Sequence, residues 1–201
     1  MPDPSIAVAL LAAGRSRRFD GDKLTAQLAG DPLWHHAARA AERAGFQRRL
    51  LICRDGMQAA FAREGWTTIA NPDADQGMAT SIRAAVEACG PAMRLVVMLA
   101  DMPFLDASHL RALARAQDTL FSRYPDGSSG VPAAFARADF ASLANLDGQG
   151  GAQSLARAPG ARSIAPANPI ALKDIDTRLD LAEARGLPLS DPESGQPSSS
   201  A

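Results

Sequence analysis

The chain has 201 residues, of which 46% are hydrophobic and 21% charged, and a formal net charge of -1. That length suits a single domain with a substantial core, and so even a charge balance excludes electrostatic binding to nucleic acid or a membrane surface. No apolar run reaches the roughly 18–20 residues of a membrane span.

Strand-like and helix-like segments alternate, which predicts an α/β fold with a largely parallel sheet. Ile6–Leu11 reads as a first buried strand. Asp31 is expected to cap a helix with Pro32 in its first position, running to about Ala44 and stopped by Gly45. Residues 49–53 form a second strand, 56–63 a short helix ended by Gly65, and 66–70 a third strand. Met78–Ala88 reads as a helix with Ile82, Ala85, Val86 and Cys89 on one face. The continuous apolar run 95–100 predicts a central strand buried on both sides.

Residues 108–117 read as a helix, 120–124 and 131–135 as two strands joined by a polar turn. Short helices are expected at 140–146 and 151–158, a last strand at 170–174 and a last helix at 179–184. From Pro188 onward Pro, Ser, Gly and acids dominate, so the expected organisation is one domain over residues 1–187 and a disordered tail over 188–201. Cys53 and Cys89 lack disulfide or metal spacing and read as buried thiols of a reducing compartment. No basic region with a long apolar core begins the chain, so no signal peptide is read and the expected location is the cytoplasm.

The most informative stretch is residues 10–24, Leu-Leu-Ala-Ala-Gly-Arg-Ser-Arg-Arg-Phe-Asp-Gly-Asp-Lys-Leu. A buried strand ends in small residues and Gly14, then Arg15, Arg17, Arg18 and Lys23 follow. Small residues let backbone N–H groups approach phosphate oxygens, and the cations neutralise them. Lys23 and Lys173 are the only lysines among 21 basic side chains, so a lysine in this loop departs from the habit of the chain. Ligands of open α/β sheets bind beyond the carboxyl ends of the strands. That rule brings together this loop, Asp101 after the central strand, and Asp174 and Asp176 after the expected last strand. A carboxylate released there is a hard-oxygen ligand suited to Mg²⁺. Neither GxxxxGK[ST] nor GxGxxG is present, which excludes a P-loop NTPase and a dinucleotide fold of the usual kind. His35, His36 and His109 read as surface or partly buried histidines, Trp34 and Trp66 as core anchors. No GxSxG elbow surrounds Ser16, which leaves it a loop or phosphate hydrogen bond.

These residues carry a resemblance. Leu-Ala-Ala-Gly-Arg-Ser-Arg-Arg-Phe with Lys23-Leu24 resembles the signature of the MobA-like NTP transferase family, and within it the molybdenum-cofactor cytidylyltransferases. Gly30-Asp31-Pro32-Leu33, Asn71-Pro72 with Gly77-Met78-Ala79-Thr80-Ser81-Ile82-Arg83, Ala100-Asp101-Met102-Pro103-Phe104 and Asp174-Ile175-Asp176-Thr177 resemble further family segments in the expected order. The resemblance implies a Rossmann-like three-layer α/β/α sandwich with a mostly parallel central sheet, similar to nucleotide-diphospho-sugar transferases. It implies transfer of a nucleotidyl group from an NTP to a phosphorylated acceptor, with loss of pyrophosphate and Mg²⁺ as cofactor.

Residue by residue, the resemblance implies Arg18, Lys23 and Asp101 as catalytic groups. It implies Leu11, Ala12, Ala13, Gly14, Arg15, Ser16, Asn71, Gly77 and Ser81 as the nucleotide site, and Asp101 with Asp176 as metal ligands. In the molybdenum branch Leu-Ala-Ala-Gly accompanies cytidylyl transfer and Leu-Ala-Gly-Gly guanylyl transfer. The Ala13 methyl narrows the pocket in favour of a pyrimidine, so the expected substrates are CTP and molybdopterin or the molybdenum cofactor. A molybdenum hydroxylase or its chaperone is the onward partner.

Gly148-Gln149-Gly150-Gly151-Ala152-Gln153 departs from the Gly-Asp-x-Gly-Ala-Arg of relatives, while 130–135 keeps the acceptor-pocket pattern. Asp20 and Asp22 stand where the loop usually runs Met-Gly, and are expected to repel triphosphate or to pair with the loop arginines. A GTP-using enzyme, a transferase for another small-molecule phosphate, and a degenerate cofactor carrier stay open as alternatives.

Overall fold

A computed structural model describes residues 3–16, 18–146 and 152–189. In chain order the strands and helices are β1 (Ile6–Leu11), β2 (Gln27–Leu28), β3 (Asp31–Pro32), α1 (Leu33–Ala44), β4 (Arg48–Arg54), β5 (Thr67–Asn71), α2 (Met78–Ala88), β6 (Arg94–Leu99), α3 (Ala107–Arg115), β7 (Leu120–Arg123), β8 (Ser129–Ala136), α4 (Phe140–Ala144), α5 (Gln153–Ala156), β9 (Arg162–Ile164) and α6 (Arg178–Ala184).

Seven strands form one sheet in the order β5-β4-β1-β6-β8-β7-β9. β1 pairs in parallel with β4 and β6, and β4 with β5. β8 alone is reversed, antiparallel to β6 and β7, while β9 is again parallel to β7. The three-layer, mostly parallel α/β/α architecture expected from the sequence is present.

The layers follow from the alternation of side chains along each strand. Val8 and Leu10 of β1, with Val96 and Met98 of β6, face one core, where α1 supplies Trp34 and a run of alanines and α3 supplies Leu110 and Leu113. Ala7, Ala9, Leu95 and Val97 face the opposite core, filled by Ala79, Ile82 and Ala85 of α2 and Phe140 and Leu143 of α4. A third cluster of Phe19, Leu28, Leu33, Phe104, Ile175 and Leu181 sits beyond the sheet. Trp34 and Trp66 lie in the core as the sequence predicts, and both cysteines are free and buried. His36 and His109 are more deeply buried than expected, at 7% and 3% exposure.

Three local expectations are corrected. Residues 56–63 are a string of turns: Ala60 and Phe61 bond back to Met57 and Ala62 to Ala59, and the helical turn goes no further. Asp31 does not cap α1. Pro32 holds the cap position without a side-chain bond, and the Asp31 carboxylate instead accepts a fork from Arg39 at 2.7 and 2.8 Å. The expected strand at 170–174 is a 3₁₀ turn, Pro169–Leu172. Asn168 accepts from the Ile170 amide and Pro169 opens the turn, which sets a helical start that apolar content cannot override. The seventh strand is β9, whose three residues, Arg-Ser-Ile, carry no alternation to detect. Among the described residues no helix is long and apolar enough to cross a membrane. Gln149 and the tail beyond 189 lie outside the described residues, as does the Gln153 side chain.

Candidate active site

β1, β4, β5 and β6 end at one edge of the sheet, and the loop after β1 crosses it. Ala12 donates to the Ile52 carbonyl at 2.8 Å and Ala100 to the Leu11 carbonyl at 3.1 Å, so the loop leaves from the centre of the sheet with Asp101 beside it. Among the described residues, the amides of Ala13, Gly14, Arg15 and Ser16 donate to no backbone carbonyl. A side chain at Gly14 would meet nothing within 4 Å, so the glycine keeps open space before these amides rather than permitting a turn. The far end of the loop is pinned. The Phe19 ring is 2% exposed in the third apolar cluster, and Arg178 stacks over it at 5.4 Å while donating to the Asp20 carbonyl at 2.7 Å. Ser16 and Asp20 take left-handed φ values of 46° and 56° that fold the loop back on itself.

That return places Lys23 in the edge of the sheet. Its Nζ donates to Asp101 Oδ2 at 2.6 Å and to Asp176 Oδ1 at 3.1 Å, and the residue is 7% exposed. Burial is the largest influence on this ammonium and by itself would lower its pKa. The two carboxylates outweigh it, and the net shift is upward. Arg18 Nη2 donates to Asp176 Oδ2 at 2.7 Å. Asp176 is brought in by the segment before α6, where the Ile175 amide bonds to the Asp101 carbonyl at 3.0 Å and a reciprocal Thr177–Asp180 capping box fixes the helix start. Asp174 is raised above the usual carboxylate range, first by partial burial and then by Asp176 and Asp101. One atom is left over: Asp101 Oδ1 is buried and has no hydrogen-bond partner.

These groups line a cavity of about 410 Å³. Leu11, Ala13, Gly14, Arg15, Ser16 and Arg18 form one wall, and Lys23, Asp101 and Asp176 the end. Gly77 and Ser81 border it from α2. Gly77 precedes that helix at φ 122°, a conformation that favours glycine. Two of the residues expected to touch nucleotide do not line this cavity. Ala12 packs into the core, 3% exposed. Asn71 is buried and bonds to the Thr80 and Ser81 hydroxyls, both at 2.9 Å, and to the Asp73 amide at 3.0 Å, so it braces the α2 wall from behind. The sequence reading missed Asp75 and Met78, which also line the cavity. Asp75 lies between Asn71-Pro72 and Gly77, inside a segment already singled out. Among the described residues neither Asp20 nor Asp22 pairs with Arg15 or Arg18, and Arg17 lies outside them. Arg15 pairs with Asp75 and Arg18 with Asp176, whereas Asp22 accepts from the Leu24 amide.

An α/β sheet carrying a cationic loop with free amides beside strand-end carboxylates defines a nucleotide-handling protein. The chain belongs to the MobA-like NTP transferase family, whose domain model matches residues 8–164, and is a nucleotidyltransferase of that type. A search of curated proteins finds no match. Among solved structures, Rv0371c from Mycobacterium tuberculosis H37Rv is 28% identical with a TM-score of 0.77, over 90% of this chain and 98% of that one. The manganese complex of Rv0371c from the same organism is 26% identical with a TM-score of 0.72, covering 90% and 98%. A molybdopterin-guanine dinucleotide biosynthesis protein A from Archaeoglobus fulgidus, 23% identical over 90% and 97% with a TM-score of 0.68, shares the fold.

Proposed function

We propose that the protein transfers CMP from CTP to the phosphate of molybdopterin or the molybdenum cofactor and releases pyrophosphate. The observation that carries this reading is the Lys23–Asp101–Asp176 cluster at the end of the β1 cavity, with a buried Asp101 oxygen unmet. An acceptor phosphate oxygen attacks the α-phosphorus, the bond to the β-phosphate oxygen breaks, and that oxygen leaves with the electron pair as pyrophosphate. Positioning and charge neutralisation are the main needs of such a transfer.

The residues supply both. Ala13, Gly14, Arg15 and Ser16 line the cavity, and their amides, which have no backbone partner among the described residues, hold phosphate oxygens. Lys23 stays protonated and, with Arg18, neutralises the transferring and leaving phosphates. Ser81 and Gly77, braced by Asn71, frame ribose and base.

The site also fits a divalent cation. Among the described residues no three His, Cys, Asp or Glu side chains form a metal-binding group. The two carboxylates Asp101 and Asp176 match a Mg²⁺ site completed by water and substrate phosphates, and the orphaned Asp101 oxygen is the natural first ligand. When bound, Mg²⁺ would supply charge neutralisation to the phosphates. The manganese complex of Rv0371c supports a divalent ion here. Ala13, 6% exposed on the cavity wall, favours a pyrimidine by narrowing the base pocket. The product passes to a molybdenum hydroxylase or its chaperone.

Pyrophosphate release with CTP, GTP, ATP and UTP, each with and without molybdopterin and Mg²⁺, tests the reading. Release that needs CTP, acceptor and metal together is expected. Faster turnover of GTP overturns the choice of base, and tight CTP binding without release overturns the enzyme in favour of a carrier.

A further inference from the structure

Each described cation of the β1 loop is held by an acid from another element, and one of these pairs stands apart. Lys23 and Arg18 pair with Asp101 and Asp176 at the inner end of the cavity. Arg15 instead reaches across the mouth. Its Nε and Nη2 make a two-pronged contact with both carboxylate oxygens of Asp75, in the 3₁₀ turn before α2. Both residues line the cavity, so the pair ties its two lips together. The pair is roughly half exposed, at 46% and 53%.

Two further observations make this contact exchangeable. Asp75 has a second holder: Arg54, at the end of β4, reaches Asp75 Oδ1 at 3.3 Å. Arg15 also has a second room, because it and Arg54 border a neighbouring cavity of about 480 Å³ behind the loop, floored by Met57 and Phe61. Loss of the Arg15 contact therefore leaves neither partner stranded. A guanidinium binds carboxylate and phosphate through the same planar fork, so Asp75 occupies the face of Arg15 that a phosphate needs.

We infer that Asp75 is a tethered competitor of the nucleotide's phosphates for Arg15: it yields the guanidinium to the triphosphate, waits on Arg54, and takes it back as pyrophosphate leaves. The inference rests on the nucleotidyl-transfer reading of the site. Its consequence is a sign. A residue that merely orients Arg15 makes anion binding tighter by its presence. A competitor makes it weaker, and so lowers inhibition by the product.

Calorimetric titration of the full chain with inorganic pyrophosphate at low ionic strength, where exposed pairs are least screened, reads that sign. Asp75→Asn is expected to bind pyrophosphate about two- to fivefold more tightly than wild type, the range of an exposed ion pair. Cytidine, which carries no phosphate, is expected to bind both proteins equally. Arg54→Gln is expected to weaken pyrophosphate binding more in the wild-type background than in the Asp75→Asn background, because Arg54 acts by drawing Asp75 away. Weaker or unchanged binding by Asp75→Asn overturns the inference, as does an equal gain for cytidine or an Arg54→Gln effect that ignores residue 75. Wild-type protein that binds neither CTP nor pyrophosphate overturns the underlying reading, and the inference with it.

Discussion

Two charged clusters of similar size differ in one respect that separates scaffold from site. Glu42 on α1 accepts from Arg63 Nε and Trp66 Nε1 through Oε1, both at 2.7 Å, and from Arg63 Nη2 through Oε2 at 2.8 Å. Every contact has a return, and the cluster ties α1 to the segment before β5. Lys23, Asp101 and Asp176 are equally well placed, yet one Asp101 oxygen is buried and unmet, and the group opens onto a cavity. An unmet buried oxygen costs stability. Arg48 Nε and Arg49 Nε are buried and unmet as well, but line neither the β1 cavity nor the one behind the loop, so it is the orphaned oxygen together with the open cavity that marks the Lys23 cluster as chemistry.

The comparison breaks most sharply at Asp101. Asp101→Asn is expected to lower kcat/KM for pyrophosphate release by about 10²–10³-fold, the effect of removing one preorganised charge-stabilising group, while the melting temperature falls less than for Glu42→Gln because Lys23 keeps Asp176 as a charged partner. A drop in melting temperature with activity intact would make the cluster a scaffold. Glu42→Gln should do the reverse: roughly 1–3 kcal/mol lost in urea unfolding, from donors left without a charged partner, with kcat/KM within about twofold of wild type.

Acidification sharpens the contrast between satisfied and unsatisfied polar groups. His36 and His109 are buried, and burial is the first cause that lowers both pKa values. His36 Nε2 donates to the Leu28 carbonyl at 2.9 Å. His109 Nε2 donates to Ser122 Oγ at 2.8 Å, because the Ser122 hydroxyl is committed to the Pro132 carbonyl. The fold therefore holds neutral imidazoles. Below the unfolded value near 6.5 the unfolded chain binds protons that the fold refuses, so stability is complete above that pH and falls as pH drops through it. The slope is at most about 1.4 kcal/mol per pH unit for each histidine. Urea unfolding at pH 7.5 and 5.5 measures it, and His109→Gln, which keeps a donor to Ser122, is expected to flatten it.

The smallest effect belongs to the support of Asp176. Thr177→Ala removes the hydroxyl that accepts from the Asp180 amide at 3.1 Å, and is expected to cost about 1 kcal/mol of stability. Because Asp180 also accepts from the Asp176 amide at 3.0 Å, a few-fold fall in kcat should accompany it. Unchanged kcat would detach the capping box from the site.

Much of this was legible in residue order, for identifiable reasons. β1 and β6 announce themselves as apolar runs because both faces of a central strand are covered. The loop after β1 is recognisable because small residues and cations follow each other without a gap. β9 escaped because three residues cannot show a period, and Pro169–Leu172 misled because its apolar side chains serve a 3₁₀ turn equally well. Asn71 lies in a motif that suggests ligand contact, but only packing distinguishes a residue that touches the β1 cavity from one that braces its wall.

Residue order alone carries the alternation of strands and helices, the cationic loop and the carboxylates at the ends of chain segments. These are local patterns of burial and charge. Which charges meet is fixed by the packing of distant segments. Arg15 finds Asp75 60 residues away, and Lys23 finds Asp101 78 residues away and Asp176 153 residues away. Such partnerships depend on strand order, on the reversal of β8 and on the anchoring of Phe19. All three arise from cores assembled between distant segments, and no local pattern of residues records them.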